Sequence, residues 1–157
     1  MEERLIKVGI THGDINGIGY EVILKTLSDT RIAELCTPVI YGSSKIAAYH
    51  RKVLDLPAVN LSIIAQAEDA GANRVNIINC VDDETKVELC QSTTAAGEAA
   101  YLALEAAVTD LKRGAVDVLV TAPINKHNIQ NEQFHFPGHT AVSYTHLRAH
   151  ETAANLV

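Results

Sequence analysis

Two segments of the sequence combine residue types that could bind an anionic ligand. The first, residues 11–19 (THGDINGIG), places three glycines and an aspartate between an apolar run and a helix start. Glycine tolerates positive φ angles and close backbone approach, and the first turn of a helix offers unpaired N–H groups to an anion. The glycine spacing matches neither the dinucleotide-binding fingerprint nor a P-loop. The segment fits a phosphate or carboxylate site, and a tight turn without a ligand is the alternative.

The second segment runs from TAPINK (residues 121–126) to FPGHT (residues 136–140). Lys126 could supply a cationic donor, while His139 and Thr140 could supply an imidazole and a hydroxyl beside a glycine. Asp14 of the first segment could orient a substrate or cap its own turn. A solvated lysine and a structural histidine are the alternatives for the second segment.

The remaining histidines give weaker signals. His50, His127 and His135 are predicted to lie on solvated surfaces. His146 and His150 stand four residues apart, so on a helix they would share one face and could bind a metal ion. No third ligand follows at a suitable spacing, which favours a structural interpretation.

The elements that must position these residues alternate between strands and helices. Two of the predicted strands run directly into the candidate segments, and ligands of open α/β sheets bind at the carboxyl ends of strands. Short apolar runs predict the strands, and apolar residues at helical spacing predict the helices. The predicted strands cover residues 5–11, 38–41, 61–65, 75–81 and 116–121, and the predicted helices cover residues 21–27, 45–54 and 95–112.

Composition excludes several classes of protein. The 157 residues are 47% hydrophobic and carry a net charge of −6, which indicates a folded domain without the basic stripe of a nucleic-acid binder. The three cysteines match no metal-ligand spacing, and their odd number argues against a disulfide scaffold. No signal sequence and no apolar run of membrane-spanning length is visible. We expect a cytoplasmic protein with no membrane or nucleic-acid partner.

Three ordered motifs resemble one known family. Residues 9–19 (GITHGDINGIG), 121–126 (TAPINK) and 136–140 (FPGHT) are similar to the G-I-T-x-G-D-x-x-G-I-G, T-A-P-I-N-K and F-P-G-H-T motifs of the 4-hydroxythreonine-4-phosphate dehydrogenase family of vitamin B6 biosynthesis. The resemblance spans about residues 5–140. Ile15 and Tyr20 stand at positions where that family frequently has proline.

The resemblance implies a fold and a reaction. The fold would be a three-layer α/β/α of the isocitrate/isopropylmalate dehydrogenase-like type, truncated before the second half of the enzyme. The reaction would be the NAD-dependent oxidation, with decarboxylation, of 4-phosphooxy-L-threonine to an amino-ketone phosphate. The family also requires a divalent metal (Zn, Mg or Co), whose ligands come from motifs absent from this chain, and a homodimer.

The resemblance also assigns the site. His139 and Thr140 would contact the phosphorylated amino-acid substrate, with Lys126 and Asp14 as additional candidates; no catalytic, cofactor-binding or metal-binding residue is assigned. Residues 1–140 would be the amino-terminal part of the dehydrogenase. Residues 141–157 depart from the family pattern, so we expect a non-native tail and an inactive isolated fragment. A threonate or erythronate 4-phosphate dehydrogenase and a non-catalytic phosphate-binding fragment are the alternatives.

Overall fold

A five-stranded parallel β-sheet organises the chain. The computed structural model describes residues 4–130. The strands lie in the order β3-β4-β2-β1-β5. Their bounds are β1 Lys7–Thr11, β2 Thr37–Gly42, β3 Leu61–Ile63, β4 Val75–Asn79 and β5 Val118–Thr121.

The burial of β2 and β5 follows their positions in the sheet. β2 is buried along its whole length, as expected for a central parallel strand covered on both faces. β5 lies at the edge, beside β1, and its residues alternate between exposed and half-buried. The register pairs Thr11 with Thr121, so β1 and β5 end at the same level.

In the described part of the chain four α-helices connect the strands, and most begin at a side-chain cap. The hydroxyl of Ser43 accepts the N–H of Ile46, and that of Thr93 accepts the N–H of Ala96. Such caps satisfy N–H groups that have no partner inside the helix. The helices are α1 Gly19–Leu27, α2 Thr30–Leu35, α3 Ser44–Val53 and α4 Thr94–Lys112.

The core divides between the two faces of the sheet. On one face, Val39 and Tyr41 of β2 pack in one cluster with alanines of α4. On the other face, Ile40 packs with Ile23 and Leu27 of α1. Because neighbouring strand residues point to opposite faces, β2 contributes to both cores. Burying each large apolar side chain contributes about 1.5–3 kcal/mol.

The predicted α/β/α class is confirmed, and so are all five predicted strands and all three predicted helices. Two elements were missed, helix α2 and a 3-10 helix at Ala67–Asp69. α2 has no buried residue, so it lacks the apolar periodicity that identifies a helix in a sequence. Within residues 4–130, no helix is both long enough and apolar enough to cross a membrane.

Candidate functional site

The first candidate segment and the described beginning of the second, residues 121–130, meet at the carboxyl edge of the sheet. One follows β1 and the other follows β5, which are adjacent parallel strands. The backbone N–H of Asp14 donates to the carbonyl of Pro123 at 2.9 Å, and the N–H of Ala122 donates to the carbonyl of Thr11 at 3.2 Å. The two loops therefore form one surface.

This surface lies where the topology of the sheet changes direction. The connection from β1 leads through α1 to β2 on one side, whereas α4 crosses the opposite face to reach β5 on the other side of β1. Loops that leave adjacent strands toward opposite sides open a crevice between them, and open α/β sheets bind ligands there. The fold thus places residues 11–19 and 121–126 at the expected position of a ligand site.

Gly13 is required for the two loops to approach each other. Its φ angle is +66°, and a Cβ atom at this position would overlap the carbonyl oxygen of Pro123. A Cβ at Gly19 would overlap the carbonyl oxygen of His12 in the same way. Two of the three glycines thus permit close packing within the protein, which sequence alone could not distinguish from close approach to a ligand.

Asp14 has one carboxylate oxygen engaged in the loop. Its Oδ1 accepts the backbone N–H of Asn16 at 3.1 Å, the turn-capping role that sequence analysis gave as the alternative. In the described part of the chain, no hydrogen bond to Oδ2 occurs. Asp14 is half-buried, so this second oxygen is the one that could accept a bond from a ligand.

Lys126 is exposed in a turn that follows β5. The turn is held by Asn125, whose Oδ1 accepts the N–H of His127 at 2.9 Å and whose carbonyl accepts the N–H of Ile129 at 3.2 Å. His139 and Thr140 lie outside the described residues, as do His135, His146, His150 and the proposed tail at 141–157. Their roles, and the boundary at residue 140, stay predictions.

The N-terminus of α1 opens onto the same edge. Its capping residue, Ile18, makes no side-chain hydrogen bond to the helix, unlike Ser43 on α3 and Thr93 on α4. Its first N–H groups thus have no side-chain cap, and such groups favour a negatively charged ligand. This geometry agrees with an anionic substrate at the edge.

His50 corrects one sequence expectation. It is 1% exposed, not solvated, and its Nε2 donates to the carbonyl of Ile15 at 2.7 Å. The prediction was wrong because it weighed the charged neighbours of His50. The spacing of His50 from Ile46 and Ala47, the other buried residues of α3, would have placed it on the buried face. His127 is exposed, as expected.

Asn16 is a site residue that sequence reasoning did not single out. Its Nδ2 donates to the carbonyl of Gln91 at 3.0 Å and to the hydroxyl of Thr93 at 3.2 Å. Its Oδ1 accepts the N–H of Glu88 at 2.7 Å. These bonds tie the loop after β1 to the segment that leads into α4, and no local pattern indicates partners so distant in sequence.

Metal ligands are not gathered within residues 4–130. No group of three or more histidine, cysteine, aspartate or glutamate side chains there could hold a metal ion. The described residues therefore do not fit a metal centre on their own. An open cleft of about 500 Å³ lies apart from the two loops, between α4 and the end of β4, and is lined by Tyr41, Cys80 and Asp110 among others.

Comparison with protein families decides the assignment. The model of the family described as pyridoxal phosphate biosynthetic protein PdxA matches residues 34–157. The chain belongs to this family. The resemblance carried by the three sequence motifs is thereby confirmed.

Individual relatives agree with the family. A 4-hydroxythreonine-4-phosphate dehydrogenase of Bacteroides thetaiotaomicron is 61% identical over 140 residues, covering 89% of this chain and 38% of that protein. A Clostridium botulinum protein named "Putative D-threonate 4-phosphate dehydrogenase" is 30% identical over 142 residues, covering 86% of this chain and 41% of its own length. The chain spans about two fifths of these curated relatives.

Solved structures agree with the fold. The crystal structure of a 4-hydroxythreonine-4-phosphate dehydrogenase from Burkholderia phymatum superposes with a TM-score of 0.82 at 27% identity, covering 95% of this chain and 46% of that one. A dehydrogenase of the same name from Klebsiella pneumoniae gives a TM-score of 0.83 at 24% identity, covering 94% and 45% of the two chains. The parallel sheet described above is thus shared with these enzymes.

Proposed function

We propose that the chain is the amino-terminal part of an NAD-dependent 4-hydroxythreonine-4-phosphate dehydrogenase. The complete enzyme would oxidise the secondary alcohol of 4-phosphooxy-L-threonine and release carbon dioxide, leaving an amino-ketone phosphate for vitamin B6 biosynthesis. It would act as a homodimer in the cytoplasm with a divalent metal. The isolated chain of 157 residues would not turn over substrate.

One observation carries the proposal. The two motif-bearing loops, separated by more than a hundred residues in sequence, are joined by the bond from the Asp14 N–H to the Pro123 carbonyl at 2.9 Å. They meet at the edge of the sheet where ligands of this architecture bind. In a chain 61% identical to a named 4-hydroxythreonine-4-phosphate dehydrogenase, this supports a substrate-binding role for the two loops.

Different residues would contact different groups of the substrate. Lys126 would attract the phosphate through its ammonium group, and the uncapped N-terminus of α1 would add N–H donors for an anionic oxygen. Asp14 would use its Oδ2 to accept a bond from a hydroxyl or ammonium group of the substrate. His139 and Thr140 would complete the contacts. In these roles the chain binds and orients the substrate before the reaction.

The described residues do not by themselves form a complete cofactor site. The N–H groups of Asp14, Asn16 and Gly17 are all engaged within the protein, so this loop does not offer the row of free donors that a dinucleotide pyrophosphate needs. No metal-ligand cluster is present in residues 4–130 either.

A threonate or erythronate 4-phosphate dehydrogenase is the second candidate. The Clostridium botulinum relative, 30% identical, is named for a substrate with a hydroxyl where 4-phosphooxy-L-threonine has an amino group. The two substrates differ in charge at this position. An acidic partner such as Asp14 would favour the ammonium form, which supports the first candidate.

Binding to the purified chain tests the proposal. The chemical shifts of backbone amides would be followed by NMR while 4-phosphooxy-L-threonine, D-threonate 4-phosphate or inorganic phosphate is added. We expect saturable shifts at residues 13–19 and at Lys126, with the amino substrate binding most tightly. Substitution Lys126→Ala should weaken binding about tenfold. Lys52→Ala removes an exposed lysine on α3 and serves as the matched control.

Several outcomes would contradict the proposal. Chemical-shift changes confined to residues far from the carboxyl edge would show that the two loops are not the binding site. Equal weakening of binding by both lysine variants would show that Lys126 acts only through the overall charge of the chain. Tighter binding of D-threonate 4-phosphate would favour the second candidate. Steady NADH formation by the isolated chain with substrate, NAD and Mg²⁺ or Zn²⁺ would refute the claim that it is inactive.

A further inference from the structure

A buried pair of aromatic side chains lies under the loop after β1. His12 and Tyr20 are both 0% exposed, and the Nδ1 atom of His12 lies 2.7 Å from the hydroxyl of Tyr20. The Nε2 atom of His12 lies 2.9 Å from the carbonyl oxygen of Ala99 in α4. The backbone N–H of Ser43 donates to the Tyr20 hydroxyl at 2.9 Å. The pair thus connects the loop to two other elements.

The partners fix the direction of each hydrogen bond. The carbonyl of Ala99 can only accept, so Nε2 of His12 carries the proton and Nδ1 is the acceptor. The Tyr20 hydroxyl then donates to Nδ1 at 2.7 Å, a shorter contact than the 3.3 Å to the Ser43 carbonyl, while it accepts the N–H of Ser43. Burial lowers the pKa of His12 to about 4, so the imidazole stays neutral near pH 7 and this pattern is retained.

The surroundings leave the pair no room to move toward β2. A Cβ atom at Gly42, the last residue of β2, would overlap the Tyr20 hydroxyl and come within 2.7 Å of His12 Nδ1. On its other side the Tyr20 ring stacks on His50, with centroids 5.3 Å apart and planes at 26°. His50 itself holds the carbonyl of Ile15. The loop is therefore attached to the interior at His12 and again at Ile15.

Between these two attachments lie Gly13 and Asp14, which face the loop after β5. We propose that Tyr20, acting through His12, is a positioning residue that holds this segment in its ligand-binding position. The proposal rests on the proposed function, because that function assigns the ligand to this edge of the sheet. Tyr20 itself touches no ligand; its hydroxyl sets where His12, and so Gly13 and Asp14, can lie.

The test compares two tyrosine variants of the whole chain. Tyr20→Phe removes only the buried hydroxyl, whereas Tyr49→Phe removes the hydroxyl of a tyrosine that is 40% exposed on α3. Ile77→Val shortens a core side chain of β4 and lowers stability without touching the loop. Amide hydrogen exchange is measured without ligand, and the dissociation constant of 4-phosphooxy-L-threonine is measured separately.

In Tyr20→Phe we expect the amides of Asp14 and Gly17 to exchange at least tenfold faster, while those of β2 and β4 change less. The dissociation constant should rise about five- to tenfold. Tyr49→Phe should change neither quantity. Ile77→Val should speed exchange across the sheet and leave the dissociation constant within twofold of the unsubstituted chain, because a general loss of stability does not move the loop.

Unchanged exchange of Asp14 and Gly17 in Tyr20→Phe would overturn the proposal, and so would an equal effect of Ile77→Val on ligand binding. If Tyr20→Phe does not fold, His12→Gln, whose amide retains a donor for the Ala99 carbonyl, is measured in the same way and decides the outcome. Failure of the unsubstituted chain to bind would count against the proposed function, whereas the exchange data would still decide whether Tyr20 positions the loop.

Discussion

Asn16 is the residue whose removal should most clearly loosen the contact between the loop after β1 and the segment that leads into α4. Asn16→Ala deletes an acceptor for the N–H of Glu88 and donors to Gln91 and Thr93, with bond lengths from 2.7 to 3.2 Å. Each such bond contributes a net of about 0.5–1.5 kcal/mol. We therefore expect the free energy of unfolding to fall by about 2–4 kcal/mol.

Urea unfolding followed by circular dichroism measures this loss. Asn60→Ala is the matched control, because Asn60 is exposed and its side chain has no hydrogen bond within the described residues. Its effect should stay within about 0.5 kcal/mol. A loss below about 1 kcal/mol for Asn16→Ala, or an equal loss in the control, would refute the reasoning that Asn16 fastens the loop to the segment before α4.

Three further predictions concern pH, packing and thiol chemistry. Because burial lowers the pKa of His12 to about 4, its neutral form adds stability that is complete above about pH 6.5 and is lost as pH falls toward 4. Between pH 7.5 and pH 5 this contribution falls by about 2 kcal/mol, so the difference between urea titrations at the two pH values should be smaller by about that amount in His12→Gln than in the unsubstituted chain. Gly97→Ala should lower the melting temperature despite the higher helix propensity of alanine, because its Cβ would overlap the carbonyl of Asn128; an unchanged or higher melting temperature would contradict this packing. Iodoacetamide at pH 8 should label the exposed Cys90 well before Cys80, since burial raises the pKa of the Cys80 thiol to about 11. Mass spectrometry of the labelled peptides measures the order of labelling, and labelling of Cys80 before Cys90 would contradict this prediction.

The fold was predictable where burial leaves a local pattern. The apolar runs that became β1 and β2 end at polar or glycine-rich residues, and the alanine-rich helix predicted over residues 95–112 is α4, Thr94–Lys112. α2 was missed because none of its residues is buried, so its sequence carries no periodic signal. The order of the strands, by contrast, follows from pairing between distant residues, which no single segment encodes.

The candidate site was predictable only in part, for the same reason. Sequence analysis placed the two loops at the ends of strands, and the structure shows those strands to be neighbours. It could not show that Asn16 bonds to Glu88, 72 residues away, or that His12 reaches Ala99, 87 residues away. Hydrogen bonds of this kind depend on the assembled sheet and helices. Charged neighbours in the sequence can also suggest an exposed position where helical spacing indicates a buried one, as at His50.

Ile15 and Tyr20 show how this chain restrains the loop after β1. Both are fully buried, in one cluster with Ile46 and Ala47 of α3. The restraint is therefore tertiary: it depends on how α1, α3 and α4 pack beneath the loop. A substitution of His50 on α3 should therefore change the position of the loop after β1 as strongly as a substitution within the loop.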